Sequence, residues 1–123
     1  MYTDIVMDHF KNPRNVGELK DANGIGQAGG ASCGDLMRLY IRVDDNVVQD
    51  ARFLIYGCGS AVAAGSMSTE LIKGKTVEEA LNITNKTVAD ALGGLPANKM
   101  HCSVLAEEVI RKAIEDYRAK TNN

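Results

Sequence analysis

The stretch Ile55-Tyr-Gly-Cys-Gly-Ser-Ala61 restricts the fold more than any other, because the hydrophobic period changes across it from two to nearly four. Before it, Arg52 to Tyr56 alternates as a strand does; after it, Ser60 to Ile72 reads as a helix capped by Ser60. Cys58 stands at the junction between two glycines. A thiol there lies beside free backbone N–H groups and the positive end of a helix dipole, both of which favour thiolate over thiol. The plainer alternative is a small buried cysteine at a tight turn.

The flanking pattern extends this strand-to-helix unit into a domain. Leu36 to Val43 alternates, with Met37, Leu39, Ile41 and Val43 on one face and Arg38, Tyr40 and Arg42 on the other. Asp44-Asp45-Asn46 marks a hairpin turn, and Val47 to Tyr56 returns with Ala51, Phe53 and Ile55 on the core face. Further helices are expected after Thr3, after the capping box Thr76-Val-Glu-Glu79, from Thr87, and from Ser103 to Tyr117. These elements predict one α+β domain over residues 1–123, a small antiparallel sheet with helices packed on one face. His9, on the first helix, reads as a packing or surface residue.

The residues from Arg14 to Ser32 are rich in Gly, Asn and Asp and read as a long loop, in which Gly24, Gly26, Gly29 and Gly30 permit positive φ. Gly24-Ile-Gly-Gln-Ala-Gly29 spells GxGxxG, but without a strand before it or an amphipathic helix after it a dinucleotide site is excluded. Gly17 to Gly34, with few apolar anchors, is expected to act as a mobile lid.

Composition removes several classes of function. A net charge of -2 with scattered Lys and Arg gives no pull towards nucleic acid or an anionic membrane. No stretch approaches the ~20 apolar residues of a membrane span, and the start of the chain does not read as a signal peptide. Three cysteines cannot close a complete disulfide framework, so a reducing, cytoplasmic setting with available thiols is expected.

Each cysteine falls at a junction: Cys33 where the Gly-rich stretch meets a strand, Cys58 between strand and helix, Cys102 just before the last helix. Asp35 follows Cys33 by two residues, His101 immediately precedes Cys102, and Lys99 places a cation nearby. Three thiolates with one oxygen or nitrogen ligand suit tetrahedral zinc or iron in an iron–sulfur cluster. With no C-x-x-C pair, spacing leaves three unrelated cysteines open as the alternative. His101 and Cys102, as sequence neighbours, need not face one another.

The segments Asp8-His-Phe-Lys-Asn-Pro-Arg-Asn15, Ala31-Ser-Cys-Gly-Asp35, Ala51-Arg-Phe53, Tyr56-Gly-Cys-Gly-Ser-Ala61 and Lys99-Met-His-Cys-Ser103 together resemble the IscU family of iron–sulfur cluster assembly scaffolds, homologous to the N-terminal domain of NifU. The resemblance covers nearly the whole chain. It implies three antiparallel strands, the third drawn from around Gly24 to Ala31, and a site lined by Cys33, Asp35, Cys58, His101 and Cys102. Those residues would bind iron and a [2Fe-2S] cluster, with zinc in place of the cluster as a variant, and Lys99 would assist. A cysteine desulfurase would supply sulfur and apo acceptor proteins would receive the cluster, about which two chains could pair. Such a chain is a scaffold rather than an enzyme; a zinc-bound sulfur acceptor is the alternative for the same thiols. Where bacterial members carry Leu-Pro-Pro-Val-Lys, a contact for a DnaK-type chaperone, this chain has Leu95-Pro-Ala-Asn-Lys99, which weighs against that partner. The further cysteine-bearing domains of full NifU and the insertion of the zinc-dependent SufU relatives are expected to be absent.

Overall fold

A computed structural model describes residues 2–29 and 35–121. In chain order the elements are α1 (Asp4–Lys11), β1 (Gly24–Gly29), β2 (Leu36–Asp44), β3 (Val47–Tyr56), α2 (Gly59–Ile72), α3 (Val77–Leu81), α4 (Asn85–Ala91), a 3-10 turn (Ala97–Lys99) and α5 (Met100–Thr121). The strands form one antiparallel sheet in the order β1-β2-β3. Asp45 and Asn46 both adopt positive φ, 51° and 65°, the conformation that closes a two-residue hairpin without splaying its strands.

One face of the sheet carries Ala28, Met37, Leu39, Ile41, Val43, Val48, Ala51 and Phe53, all buried. Against it α5 packs on β1 and β2, and α2 packs on β3. α2 is built from Ala, Gly and Ser because it is covered on several sides: Ala61, Ala63, Ala64, Gly65, Ser66 and Ser68 are all buried. A Cβ on Gly65 would come within 2.6 Å of the Phe53 ring. α1 lies against α2, where the buried His9 ring pairs through Nδ1 with Ser66 Oγ at 2.7 Å. Burial lowers the His9 pKa, with Arg14 adding to the effect, so this histidine is a neutral packing residue.

The stretch expected to be loop contains a strand. Gly24–Gly29 pairs along its length with β2, Gly24 opposite Ile41 and Gly29 opposite Leu36. Gly24 and Gly26 do not have positive φ; they are glycines because α5 presses on them. A Cβ on Gly26 would lie 2.5 Å from the Ala113 N and 2.6 Å from the Val109 O of that helix. The approach to the strand is also fixed, since Gly17 N–H donates to the Phe53 carbonyl and Asn23 exchanges side-chain hydrogen bonds with the Val43 backbone. Gly24–Gly29 is therefore a strand of the sheet rather than part of a lid, and the residues leading to it are tied to the sheet at Gly17 and Asn23. The remaining positions of the expected lid, 30 to 34, lie outside the described residues.

Three helix starts differ from expectation. Cys58, in extended conformation, caps α2 in place of Ser60, and its carbonyl accepts from Ala61 and Val62. Thr84 rather than Thr87 opens α4, the two threonines forming a reciprocal box. α5 begins at Met100, so Cys102 lies inside its first turn and is fully buried rather than placed in the preceding loop.

Candidate metal centre

The β2-β3 register creates the site. Leu36 pairs with Tyr56, so the residue before β2 and the residue after β3 are neighbours across the hairpin: Asp35 meets Gly57. A Cβ on Gly57 would fall 2.3 Å from Asp35 Oδ1, so only glycine leaves the carboxylate its place. Through that gap the Cys58 N–H donates to Asp35 Oδ1 at 3.1 Å. The second oxygen, Oδ2, is 3.1 Å from His101 Nε2 and 4.0 Å from Cys102 Sγ. Asp35 is 5% exposed and is thus a buried carboxylate tied to the first turns of both α2 and α5.

The two described thiols face each other at these helix starts, Cys58 Sγ and Cys102 Sγ being 3.8 Å apart. Ser60 Oγ lies between them, 3.1 Å from Cys58 Sγ and 3.3 Å from Cys102 Sγ. His101 Nε2 is 3.6 Å from Cys102 Sγ, so the two sequence neighbours do converge, because both reach Asp35 from the start of α5. Asp35, Cys58 and Cys102 each offer a ligand atom, all within 4.8 Å of one another.

The environment separates the thiols. Burial pushes the Cys102 thiol up to about 12, against a smaller opposing effect of the Ser60 hydroxyl and with the Cys58 and Asp35 charges adding to the rise. Burial also opposes ionisation of Cys58, but hydrogen bonds from Ser60, the nearby Ala61 N–H and Cys102 outweigh it and hold that thiol below its ordinary value. The two sulfurs of the group are therefore unequal, Cys58 ionising more readily than an ordinary thiol and Cys102 much less readily. A cation with affinity for sulfur favours ionisation of both, and the mixed sulfur, oxygen and nitrogen donors suit zinc or iron.

Of the residues singled out from sequence, Asp35, Cys58, His101 and Cys102 are brought together, and Cys33 lies outside the described residues. Lys99 sits in the 3-10 turn and lines an open cavity of about 420 Å³ with Tyr2, Met7, Pro96 and Asn98. None of those four is a candidate ligand. Sequence reasoning missed Ser60, which it assigned to capping, and Gly57, which it treated only as part of a turn. The doublet of glycines around Cys58 was the available signal for Gly57.

The profile of the NifU-like N-terminal domain matches residues 1–123. The chain is 58% identical over 120 residues to the iron–sulfur cluster assembly scaffold proteins IscU 1 and IscU 2 of Archaeoglobus fulgidus, covering 98% of this chain and 78% of each relative. It is 54% identical over 123 residues to the scaffold protein IscU of Haemophilus influenzae, with 97% of either chain covered. Among solved structures it is similar to a proposed iron–sulfur cluster assembly scaffold protein of the SUF system from Fervidobacterium islandicum, with a TM-score of 0.74 at 25% identity over 92% of this chain and 96% of that one.

Proposed function

Because the chain belongs to the NifU-like N-terminal domain family, we propose that it is a scaffold on which an iron–sulfur cluster is assembled and from which the cluster passes to apo acceptor proteins. The observation that carries this reading is the convergence of Asp35, Cys58, His101 and Cys102 at one end of the sheet. Cys33, two residues before Asp35 in the chain, completes the proposed ligand set. The cargo is a [2Fe-2S] cluster held by cysteine sulfurs with Asp35 or His101 in the remaining position. A carboxylate oxygen is a harder and poorer partner for cluster iron than thiolate, so a site with one such ligand releases its cargo more readily than a site of cysteines alone. His101 and Asp35 hydrogen-bond each other, so either one leaving the cluster has a partner waiting.

Sulfur would arrive from a cysteine desulfurase: a site thiolate attacks the outer sulfur of the donor's persulfide, the donor S–S bond breaks, and the donor cysteine leaves as thiolate. Of the two described thiols Cys58, half-buried and held below its ordinary pKa, is the more readily ionised and the better placed for this step. No helix among the described residues is long and apolar enough to cross a membrane, and the free thiols suit the reducing cytoplasm as the place of action.

Anaerobic reconstitution with ferrous iron, cysteine, a desulfurase and a dithiol that reduces persulfide sulfur to sulfide tests the reading. The chain should gain a visible chromophore with two irons and two sulfides per site and lose it to an apo ferredoxin. A protein that stays colourless and holds only zinc would overturn the proposal.

A further inference from the structure

Four serines are buried among the described residues: Ser60, Ser66, Ser68 and Ser103. Three have nitrogen or oxygen partners. Ser66 Oγ accepts from the Arg14 N–H and pairs with His9, Ser68 donates to the Ala64 carbonyl, and Ser103 donates to the Met100 carbonyl. Ser60 differs. Fully buried, in the first turn of α2, its hydroxyl has the sulfurs of Cys58 and Cys102 as its partners, at 3.1 and 3.3 Å.

Neutral thiols are weak donors and acceptors, so a hydroxyl buried against them recovers little of what it loses on leaving water. Against thiolate or metal-bound sulfur the same contact becomes charge-assisted and roughly twice as strong. The geometry is thus worth most when the sulfurs are negative, which is their state when they hold metal. Ser60 also touches both sulfurs, whereas those sulfurs come from different helices. Its single proton serves one sulfur at a time, so the two cysteines are not equivalent ligands.

We propose that Ser60 is a positioning residue of the cluster site, whose hydroxyl spans the sulfurs of Cys58 and Cys102, fixes their separation across the two helices and donates to the more negative of them. This rests on the scaffold reading above. A donated proton draws electron density from the sulfur, which weakens its bond to iron, raises the reduction potential of the cargo and eases release. The site's lability then has two sources, the hard Asp35 oxygen and the Ser60 hydrogen bond.

The test compares wild-type protein with Ser60→Ala and Ser60→Thr after anaerobic reconstitution. Alanine removes one oxygen and is the better helix former, so Ser60→Ala should fold. At full iron loading it should show a more negative midpoint potential, altered Fe–S(Cys) stretching frequencies that no longer respond to D₂O as wild type does, and transfer slower by roughly tenfold, the lower end of what one charge-assisted hydrogen bond is worth. Ser60→Thr, which keeps the hydroxyl, should restore potential and frequencies. A fully loaded Ser60→Ala with wild-type potential and spectrum would overturn the proposal. If wild type takes up no cluster, the scaffold reading fails separately, and cobalt(II) decides about Ser60: its sulfur-to-metal charge-transfer band should move in Ser60→Ala and return in Ser60→Thr. Identical bands in all three would overturn it.

Discussion

The chain uses Gly-x-Gly twice, at Gly24-Ile-Gly26 and at Gly57-Cys-Gly59, and none of these four glycines has positive φ. All four are glycines because something lies where a Cβ would go, yet what lies there differs. At Gly24 and Gly26 it is mainly the backbone of α5, with Ala113 O at 2.6 Å and Ala113 N at 2.5 Å. At Gly57 and Gly59 it is side chains, Asp35 Oδ1 at 2.3 Å and the Phe10 ring at 3.2 Å. A helix backbone cannot move aside without unpacking the core, whereas a side chain can rotate. The first pair therefore serves the fold and the second serves the site, although as text they look alike.

The largest expected effect follows at the seam between β1 and α5. Gly26→Ala should cost about 3 kcal/mol, the upper part of the range for overpacking, read as a lower denaturant midpoint with little change in slope. A cost below ~1 kcal/mol would mean that α5 slides easily and would break the distinction between the two pairs.

The seam also guards one thiol. In a Cys33→Ser background, iodoacetamide should modify Cys58 first, since a thiol held below its ordinary value is more fully thiolate at any pH below that value. Cys102, buried and pushed up to about 12, should resist until strongly alkaline pH or until α5 opens. Gly26→Ala, by loosening α5, should speed Cys102 labelling several-fold, whereas Gly57→Ala, which only draws the Asp35 charge away from a thiol that stays buried, should speed it far less. Equal labelling of Cys102 in both variants would show that the two glycine pairs brace the same motion.

This contrast marks where sequence was readable and where it was not. Leu36 to Tyr56 was legible as a hairpin because alternation with a turn at Asp45-Asn46 has one physical meaning. The candidate ligands were legible as residue types, because cysteine, aspartate and histidine carry their chemistry wherever they fall, but spacing left unrelated cysteines open and only the family resemblance implied that they share one site. β1 was not legible, because its inward positions are Gly24, Gly26 and Ala28, and a strand pressed against a helix backbone loses the apolar side chains by which strands are recognised. Nor could sequence place Ser60 between two sulfurs, since one of them arrives from α5, more than forty residues on. Helix capping was the local reading of that serine, and a distant partner overrode it.

At Gly57 the fold should survive and the site should change. A methyl there must displace Asp35, breaking its bond to the Cys58 N–H and drawing it from His101. Gly57→Ala should therefore lose less than about 1.5 kcal/mol of stability and, under the proposed scaffold function, give the same outcome as that expected of Asp35→Ala: a longer-lived cluster and slower transfer to an apo acceptor. Unchanged transfer in both variants would remove Asp35 as the labile ligand. Unchanged transfer in Gly57→Ala alone would show that the carboxylate can move and still act.

The smallest effect belongs to Gly59. Its missing Cβ faces the Phe10 ring at 3.2 to 3.4 Å, tight but not impossible, and that ring is 45% exposed, with solvent to swing into. Alanine in the first turn of α2 regains about 1 kcal/mol of helix propensity over glycine, which offsets the cost of pushing the ring aside. Gly59→Ala should therefore shift stability by no more than ~0.5 kcal/mol in either direction. Its trace should appear in accessibility instead: a ring pushed from the start of α2 uncovers the backbone next to Cys58, so alkylation of Cys58 should change by no more than about twofold, with no change at Cys102. If Gly59→Ala instead destabilises as strongly as Gly26→Ala, Phe10 is held as firmly as a helix backbone, and the division between glycines that serve the fold and glycines that serve the site fails at its weakest member.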